Sequence, residues 1–250
     1  VLHQSITEVA EACDVGDATV SRFCKTLGYK GYNDFKMAVV QYLPKNEGTD
    51  FSSGDINASD SIETVTKNIL AKDIEALNET CNLIREEDIR SAVEMMTNAN
   101  RIMFFGVGSS LASALEGCNR FIRITPKASI NFETHMQYAA AALMSENDVA
   151  VIISYSGSTR EIVEIAKTAR ARKAKIICIT KYIRSPLTHY ADIILLCSSN
   201  ERNVHGFSLS VELTQTFLLD ILYTEFFRQN YESSQENKAV STSLFSKKLL

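Results

Sequence analysis

The chain has 250 residues, room for two domains at roughly 100–200 residues each. Hydrophobic residues make up 45% and charged residues 22%, ordinary globular values that argue against a disordered chain. The net charge of -4 excludes a basic field over the whole protein, so any contact with nucleic acid must rest on a local patch.

The first segment, about residues 5–42, reads as three short helices. Ser5 and Glu8 have the spacing of a capping box, and Ile6, Val9, Ala10 and Cys13 follow at helical spacing. Asp14 to Asp17 interrupts the pattern. A second helix starts at Ala18 with the stripe Val20, Phe23, Cys24 and Leu27 expected to face inward, and Gly28 is placed to end it. A third helix is expected from about Asn33 to Tyr42. Residues 44–58 are rich in Gly, Ser, Asn and Asp, a composition that suits a linker. Helices over about 59–81 and 87–98 come next.

From Arg101 apolar runs alternate with amphipathic ones. Strands are expected at Ile102–Phe105, Ala128–Phe132, Val149–Ser154, Lys175–Thr180 and Ile193–Cys197, with helices at about 110–123, 134–144, 158–172 and 207–229. Strands separated by single helices form βαβ units and a mostly parallel sheet. The fold class is therefore α/β: an all-α domain over 1–43, a linker over 44–58, and an αβα sandwich on a five-stranded sheet, with its leading helices, over 59–232. Residues 233–250 are expected to form a polar, loosely held tail.

The six cysteines contain no C-x-x-C pair and mostly sit in apolar runs. They read as reduced core residues of a cytoplasmic protein, with neither a disulfide frame nor a metal site. No apolar run approaches the ~18–20 residues of a membrane span, so no membrane partner is expected, and the start resembles no signal peptide.

Two short helices joined by a tight turn form the helix-turn-helix pattern, whose second helix enters the major groove of DNA. With its stripe inward, the second helix turns Ala18, Arg22, Lys25 and Thr26 outward, flanked by Thr19 and Ser21 and followed by Lys30. That face is small, hydroxylated and basic, which suits contacts to phosphates and base edges. An ordinary helical hairpin with a solvated face carries the same pattern. The basic and acidic residues of 1–43 number four and five, but all four basic ones lie at or beyond the second helix.

Two loops follow strands and open helices: Gly106-Val-Gly-Ser-Ser110 and Ser154-Tyr-Ser-Gly-Ser-Thr159. Helix N-termini present free N–H groups and partial positive charge to an anion. Gly108, Ser109 and Ser110 in one loop, and Ser154, Ser156, Gly157, Ser158 and Thr159 in the other, are the candidate ligand-binding residues. Neither loop carries the Gly-Lys-Ser/Thr of a nucleotide loop, and the first misses the third glycine of a dinucleotide fingerprint. No cofactor is expected. Ser158-Thr-Arg-Glu161 also reads as a capping box, so Ser158 has a purely structural alternative.

The stretch Ala18-Thr-Val-Ser-Arg-Phe-Cys-Lys-Thr-Leu-Gly28, with Gly31-Tyr32 and Phe35-Lys36, resembles the helix-turn-helix of the RpiR family of bacterial transcriptional regulators. Residues 80–228 resemble the SIS (sugar isomerase) domain which that family carries next, on Ser154-Tyr-Ser-Gly-Ser-Thr-Arg-Glu161, Arg172-Lys-Ala-Lys-Ile-Ile-Cys-Ile-Thr180 and Ser185-Pro-Leu187. The family has a further helical segment upstream, so the resemblance implies a helix-turn-helix truncated at its start. It also implies that Ser154, Ser156, Ser158 and Thr159 hold a phosphate, and that Ser109 and Ser110 hold sugar hydroxyls or a phosphate edge. The implied partners are operator DNA, a sugar-phosphate effector and further copies of the chain, as a homodimer or homotetramer.

SIS domains also occur in isomerases, and the alternative is a phosphosugar isomerase or lyase. Isomerisation needs a base and often a ring-opening histidine. Glu212, His205 and His135 are the candidates, kept here as ligand contacts. The attached helix-turn-helix favours binding without turnover.

Overall fold

A computed structural model of the protein describes residues 4–42, 59–198 and 209–246. The head consists of α1 (Ile6–Ala12), α2 (Asp17–Thr26) and α3 (Tyr32–Tyr42). The capping box at its start is complete: Ser5 Oγ accepts from the Glu8 N–H at 3.1 Å, and the Ser5 N–H donates to Glu8 Oε2 at 2.6 Å. Helix α2 ends in a Schellman motif, with Tyr29 N–H on the Cys24 carbonyl at 3.1 Å and Gly28 N–H on that of Lys25 at 3.0 Å. The motif places Gly28 at φ +91°, a conformation that glycine adopts at little cost.

The core of the head is Ile6, Ala10, Val20, Cys24 and Tyr32. This corrects the expected inward stripe: Val20 and Cys24 are buried, but Phe23 and Leu27 are each more than half exposed. Three short helices enclose a core that admits only a narrow arc of α2. Phe23 lies at its rim, edge-on to Phe35 with ring centroids 6.0 Å apart.

The second domain opens with α4 (Ile62–Leu83) and α5 (Glu86–Asn98). Then β1 (Arg101–Phe105), α6 (Ser109–Phe121), β2 (Ala128–Ile130), α7 (Thr134–Ala142), β3 (Asp148–Ile153), α8 (Arg160–Ala171), β4 (Lys175–Thr180) and β5 (Ile193–Leu196) alternate. A single 3₁₀ turn, Thr188–Tyr190, lies between β4 and β5, and α9 (Leu209–Gln229) and α10 (Tyr231–Ser246) close the chain. The five strands are all parallel in the order β2-β1-β3-β4-β5.

Strand side chains alternate between two cores, as a period of two demands. Ile102, Phe104, Val149, Val151, Ile153, Ile177 and Ile179 face α5, α6 and α9. Met103, Phe105, Ala150, Ile152, Ile176 and Cys178 face α7 and α8, through Ala141, Ile162, Ile165 and Ala169. The αβα sandwich is thus as expected, with element ends shifted by a few residues.

Two expectations fail. Residues 233–246 are helical and docked: Asn237 Nδ2 donates to the Ile124 carbonyl at 3.0 Å, Ser241 Oγ donates to that of Arg123 at 3.1 Å, and Ser234 is buried. Polar side chains satisfy the carbonyls just past α6, so this helix holds on without an apolar stripe. Of the cysteines, Cys24, Cys118, Cys178 and Cys197 are buried, but Cys13 and Cys81 are exposed. The expected linker over 44–58 lies outside the described residues.

Candidate functional site

Strand β1 pairs on one side with β2 and on the other with β3. Such a reversal of strand order opens a crevice beyond the carboxyl ends of the strands. Phe105 lies opposite Ile152 in the register, so the two serine-bearing loops leave neighbouring strands, about 4.8 Å apart at their roots. Sequence reading had each loop separately; the sheet order sets them side by side.

In the first loop Gly108 takes φ +63° as the N-cap of α6. Ser109 is exposed at the crevice, while Ser110 is buried. The loop is clamped from below by Gln137, a buried residue of α7, whose Nε2 donates to the Gly106 carbonyl at 2.9 Å and whose Oε1 accepts from the Gly106 N–H at 3.3 Å. A second buried glutamine, Gln215 of α9, accepts from Ser113 Oγ at 2.7 Å and donates to Ser110 Oγ at 3.5 Å. The hydroxyl of Ser110 is thereby tied to the scaffold. Neither glutamine stood out in the sequence; their only signal is an amide inside an otherwise apolar or hydroxylated helical run.

In the second loop Ser154 is buried at the end of β3, and its N–H donates to the Ile179 carbonyl at 3.0 Å. Ser156 and Ser158 hold each other: the Ser158 N–H donates to Ser156 Oγ at 3.2 Å, and Ser158 Oγ donates to the Ser156 carbonyl at 3.1 Å. The expected capping box at Ser158 does not form. Thr159 is the N-cap of α8 and its hydroxyl makes no cap bond. The chain needs one more residue to turn from β3 into the helix, which moves the cap on by one. Ser156, Ser158 and Thr159 are all partly exposed at the start of α8.

Gly157 has φ +59°, and a Cβ built there would lie 2.2 Å from Ser185 Oγ and 2.7 Å from Ser185 Cβ. The Leu187 N–H also donates to the Gly157 carbonyl at 2.9 Å, and the Lys181 N–H to that of Tyr155 at 3.0 Å. The segment after β4 therefore buttresses the loop along its length. Of the remaining candidates, His135 is exposed in the first turn of α7 and Glu212 is exposed in that of α9. His205 lies outside the described residues.

On the head, Ala18, Thr19, Arg22, Lys25, Thr26 and Lys30 are exposed and Ser21 is partly so. Arg22 Nη2 reaches Thr19 Oγ1 at 3.5 Å, and Thr26 Oγ1 donates to the Arg22 carbonyl at 3.0 Å. Among the described residues no helix is long and apolar enough to cross a membrane.

A head of three short helices with an exposed, basic second helix, joined to a parallel α/β domain with an anion-suited crevice, defines a one-chain transcriptional regulator. Residues 1–46 match the rpiR-family helix-turn-helix domain and residues 95–225 match the SIS domain, and the chain belongs to this family of regulators. It is 35% identical over 223 residues to an uncharacterized helix-turn-helix transcriptional regulator of Caldanaerobacter subterraneus, a match spanning 89% of this chain and 78% of the relative. It is 31% identical to the transcriptional regulator HexR of Escherichia coli, over 100% of this chain and 87% of the relative. Among solved structures, Vibrio vulnificus NanR complexed with ManNAc-6P superposes with a TM-score of 0.84 at 26% identity, covering 100% of this chain and 88% of that one.

Proposed function

We propose that this regulator binds operator DNA through α2 and a phosphorylated sugar in the crevice between the two loops, and that it binds the sugar without turning it over. The observation that carries the reading is the adjacency of the loops at the strand reversal, with partly exposed Ser156, Ser158 and Thr159 at the head of α8. A phosphate there would accept from the first-turn N–H groups and from these hydroxyls, replacing the bonds that Ser156 and Ser158 now make to each other. Gly108 and Ser109 face the same crevice from the first loop and suit the sugar hydroxyls. Ser154 and Ser110, both buried, act as supports from beneath. The complex of NanR with ManNAc-6P is consistent with this choice of ligand class.

Binding without turnover is supported by the relatives named transcriptional regulators; His135 and Glu212 are exposed in the first turns of different helices, α7 and α9, with no hydrogen bond or ion pair joining them among the described residues. A cytoplasmic homo-oligomer fits the same reading. Ile62, Leu70 and Ile74 are each about half exposed or more. They share an arc of α4 about 120° wide at ~100° per residue, a face suited to a second copy.

The test is a thermal-shift screen with ManNAc-6P, other sugar phosphates and inorganic phosphate, repeated on S156A/S158A. A rise in melting temperature with at least one sugar phosphate is expected, lost in the double variant while DNA binding persists. An unchanged rise in the variant would remove these serines from the site, and isomerised sugar in an NMR time course would replace sensing with catalysis.

A further inference from the structure

The described residues leave an apolar stripe on α7 open. The inner side of this helix packs on α8 and the sheet through Ala141, and its Gln137 clamps the first loop. On its outer side Phe132, Met136 and Leu143 are 63%, 55% and 71% exposed, and Ala139 is exposed between the last two. At ~100° per residue, Met136, Ala139 and Leu143 share an arc about 60° wide. From Thr134 to Ala142 the helix carries no Asp, Glu, Lys or Arg. A surface helix ordinarily turns charged and polar residues to water, so this face is suited to meet another surface.

Charge at the two ends of the helix identifies that surface. At the N-terminal end the Glu133 carboxylate accepts from the Met136 N–H at 3.0 Å, and Glu161 and Glu164 of α8 lie near Tyr138. These acids outnumber Arg160, also near Tyr138, and Lys167, 4.0 Å from Glu164. At the C-terminal end Arg101 Nη2 donates to the Leu143 carbonyl at 2.7 Å, and Arg172 Nε donates to that of Met144 at 3.2 Å. With Lys173 they outnumber Asp148, which pairs with Arg101, and the exposed Glu146. The face is thus acidic at one end, uncharged along its middle and basic at the other. Turned end for end, such a face is complementary to itself.

We propose that α7 pairs antiparallel with α7 of a second copy of this chain. A twofold axis between Ala139 and Ala140 sets Met136 against the partner's Leu143 and brings Glu133 to the end that carries the partner's Arg172. The alanines at the axis let the two backbones approach closely, and the opposed helix dipoles attract. A nine-residue helix spans only about 13 Å. The contact is therefore smaller than the ~800 Å² per partner of a standard interface, and it forms and parts with concentration. It is also separate from the apolar arc of α4. Helices α7 and α8 cover one face of the sheet, whereas α4 packs on α9 over the other. One isologous contact cannot fill both. Where α4 meets a further copy as well, the two contacts on opposite faces build a tetramer with four DNA-binding heads; the tetramer rests on the α4 reading above, and the α7 pairing does not.

The experiment sizes the full chain by sedimentation equilibrium over a range of concentrations, beside L143E, L143M, L70E, E133R, R172E and E133R/R172E. L143E is expected to halve the mass of the largest species with the melting temperature unchanged, because Leu143 is largely exposed, and L143M is expected to keep that species. Glu133 and Arg172 are both exposed, so E133R and R172E should each weaken association about two- to fivefold, the size of an exposed ion pair. The double variant should regain most of the wild-type affinity. Within one copy the two residues lie at opposite ends of α7, so only pairing between copies restores it. A wild-type monomer at every concentration, or an L143E mass equal to that of wild type, overturns the proposal. A lowered mass in L143E with no recovery in the double charge variant overturns the antiparallel pairing. If L143E fails to fold, the charge variants decide alone. L70E tests the α4 face separately: a mass lowered by L143E but not by L70E keeps the α7 pairing and removes the α4 contact.

Discussion

Gly157→Ala is the substitution whose effect the structure defines most fully. The backbone there is left-handed at φ +59°, which costs an L-residue about 1–2 kcal/mol. The new methyl group would also sit 2.2 Å from Ser185 Oγ and 2.7 Å from its Cβ, and overpacking of this kind costs about 1–3 kcal/mol. Together these give a loss of about 2–5 kcal/mol. The two contributions separate in a cycle with Ser185→Gly, which deletes both colliding atoms and leaves Thr180 Oγ1 at 3.3 Å as the next neighbour. The double variant should recover about 1–3 kcal/mol relative to the sum of the singles. Urea unfolding followed by far-ultraviolet circular dichroism reads both numbers. A G157A midpoint equivalent to less than ~0.5 kcal/mol of change, or strictly additive behaviour in the cycle, would refute the claim that Ser185 holds this loop.

Three further outcomes follow from other parts of the molecule. Arg22→Ala, on the exposed face of α2, should weaken DNA binding by about 1–3 kcal/mol if the side chain reads a base and lower the salt dependence if it contacts a phosphate; unchanged affinity and salt slope in a gel-shift titration would remove Arg22 from the interface. Thiol titration should find Cys13 and Cys81 reactive in the native protein and the buried four protected until unfolding. Burial pushes the Cys118 thiol up to about 11 and the Cys197 thiol up to about 12, leaving about one part in a thousand or less as the reactive thiolate near pH 8; rapid native modification of more than two thiols would contradict this.

The third concerns Asp148. Burial pushes its carboxyl up, but hydrogen bonds from Arg101 at 2.7 Å and from Ser145 outweigh that and hold it below its ordinary range. A depressed folded value adds stability above the unfolded pKa of about 3.9 and loses it as pH falls through the folded value. Asp148→Asn should therefore cost about 1.5–3 kcal/mol at neutral pH, the worth of a hydrogen bond to a charged group, and the gap to wild type should close below about pH 4. A gap independent of pH would assign the effect to packing.

The pieces that were legible in the sequence obey local rules. The capping box at Ser5 and the glycine stop at Gly28 depend on spacing within one turn, and both appear as expected. The four longer strands were legible because each is apolar on both faces and short, as a parallel sheet requires, whereas β2 is an edge strand of three residues with Ser129 at its centre. The failures share a cause. Phe23 and Leu27 are apolar at core spacing, yet the head is too small to enclose them; helical period gives the direction of a side chain but not the depth of the partner it meets. The helix at 231–246 is mostly polar, with Tyr231 and Val240 exposed, so its sequence marks no core-facing stripe, and bonds from Asn237 and Ser241 reach carbonyls 113 and 118 residues away.

The site divides along the same line. Serines at the head of a helix announce themselves by composition, and Ser156, Ser158 and Thr159 are candidates on that ground, partly exposed at the start of α8. What shapes the loops around them is supplied from far along the chain. Gln137 clamps the first loop from 31 residues away and Gln215 ties Ser110 from 105. Ser185 fills the space that only a glycine at 157 leaves open, and the neighbouring Arg184 takes the hydroxyl of Ser5 from 179 residues away. A serine at an N-cap and a serine that is about to carry a ligand look alike in sequence, because the residues that decide between them are buried amides and a packed neighbour rather than anything in the loop. It follows that substitutions at Gln137, Gln215 or Ser185 should disturb ligand response more than their distance from the crevice suggests, since each removes a constraint that the loop residues cannot replace by themselves.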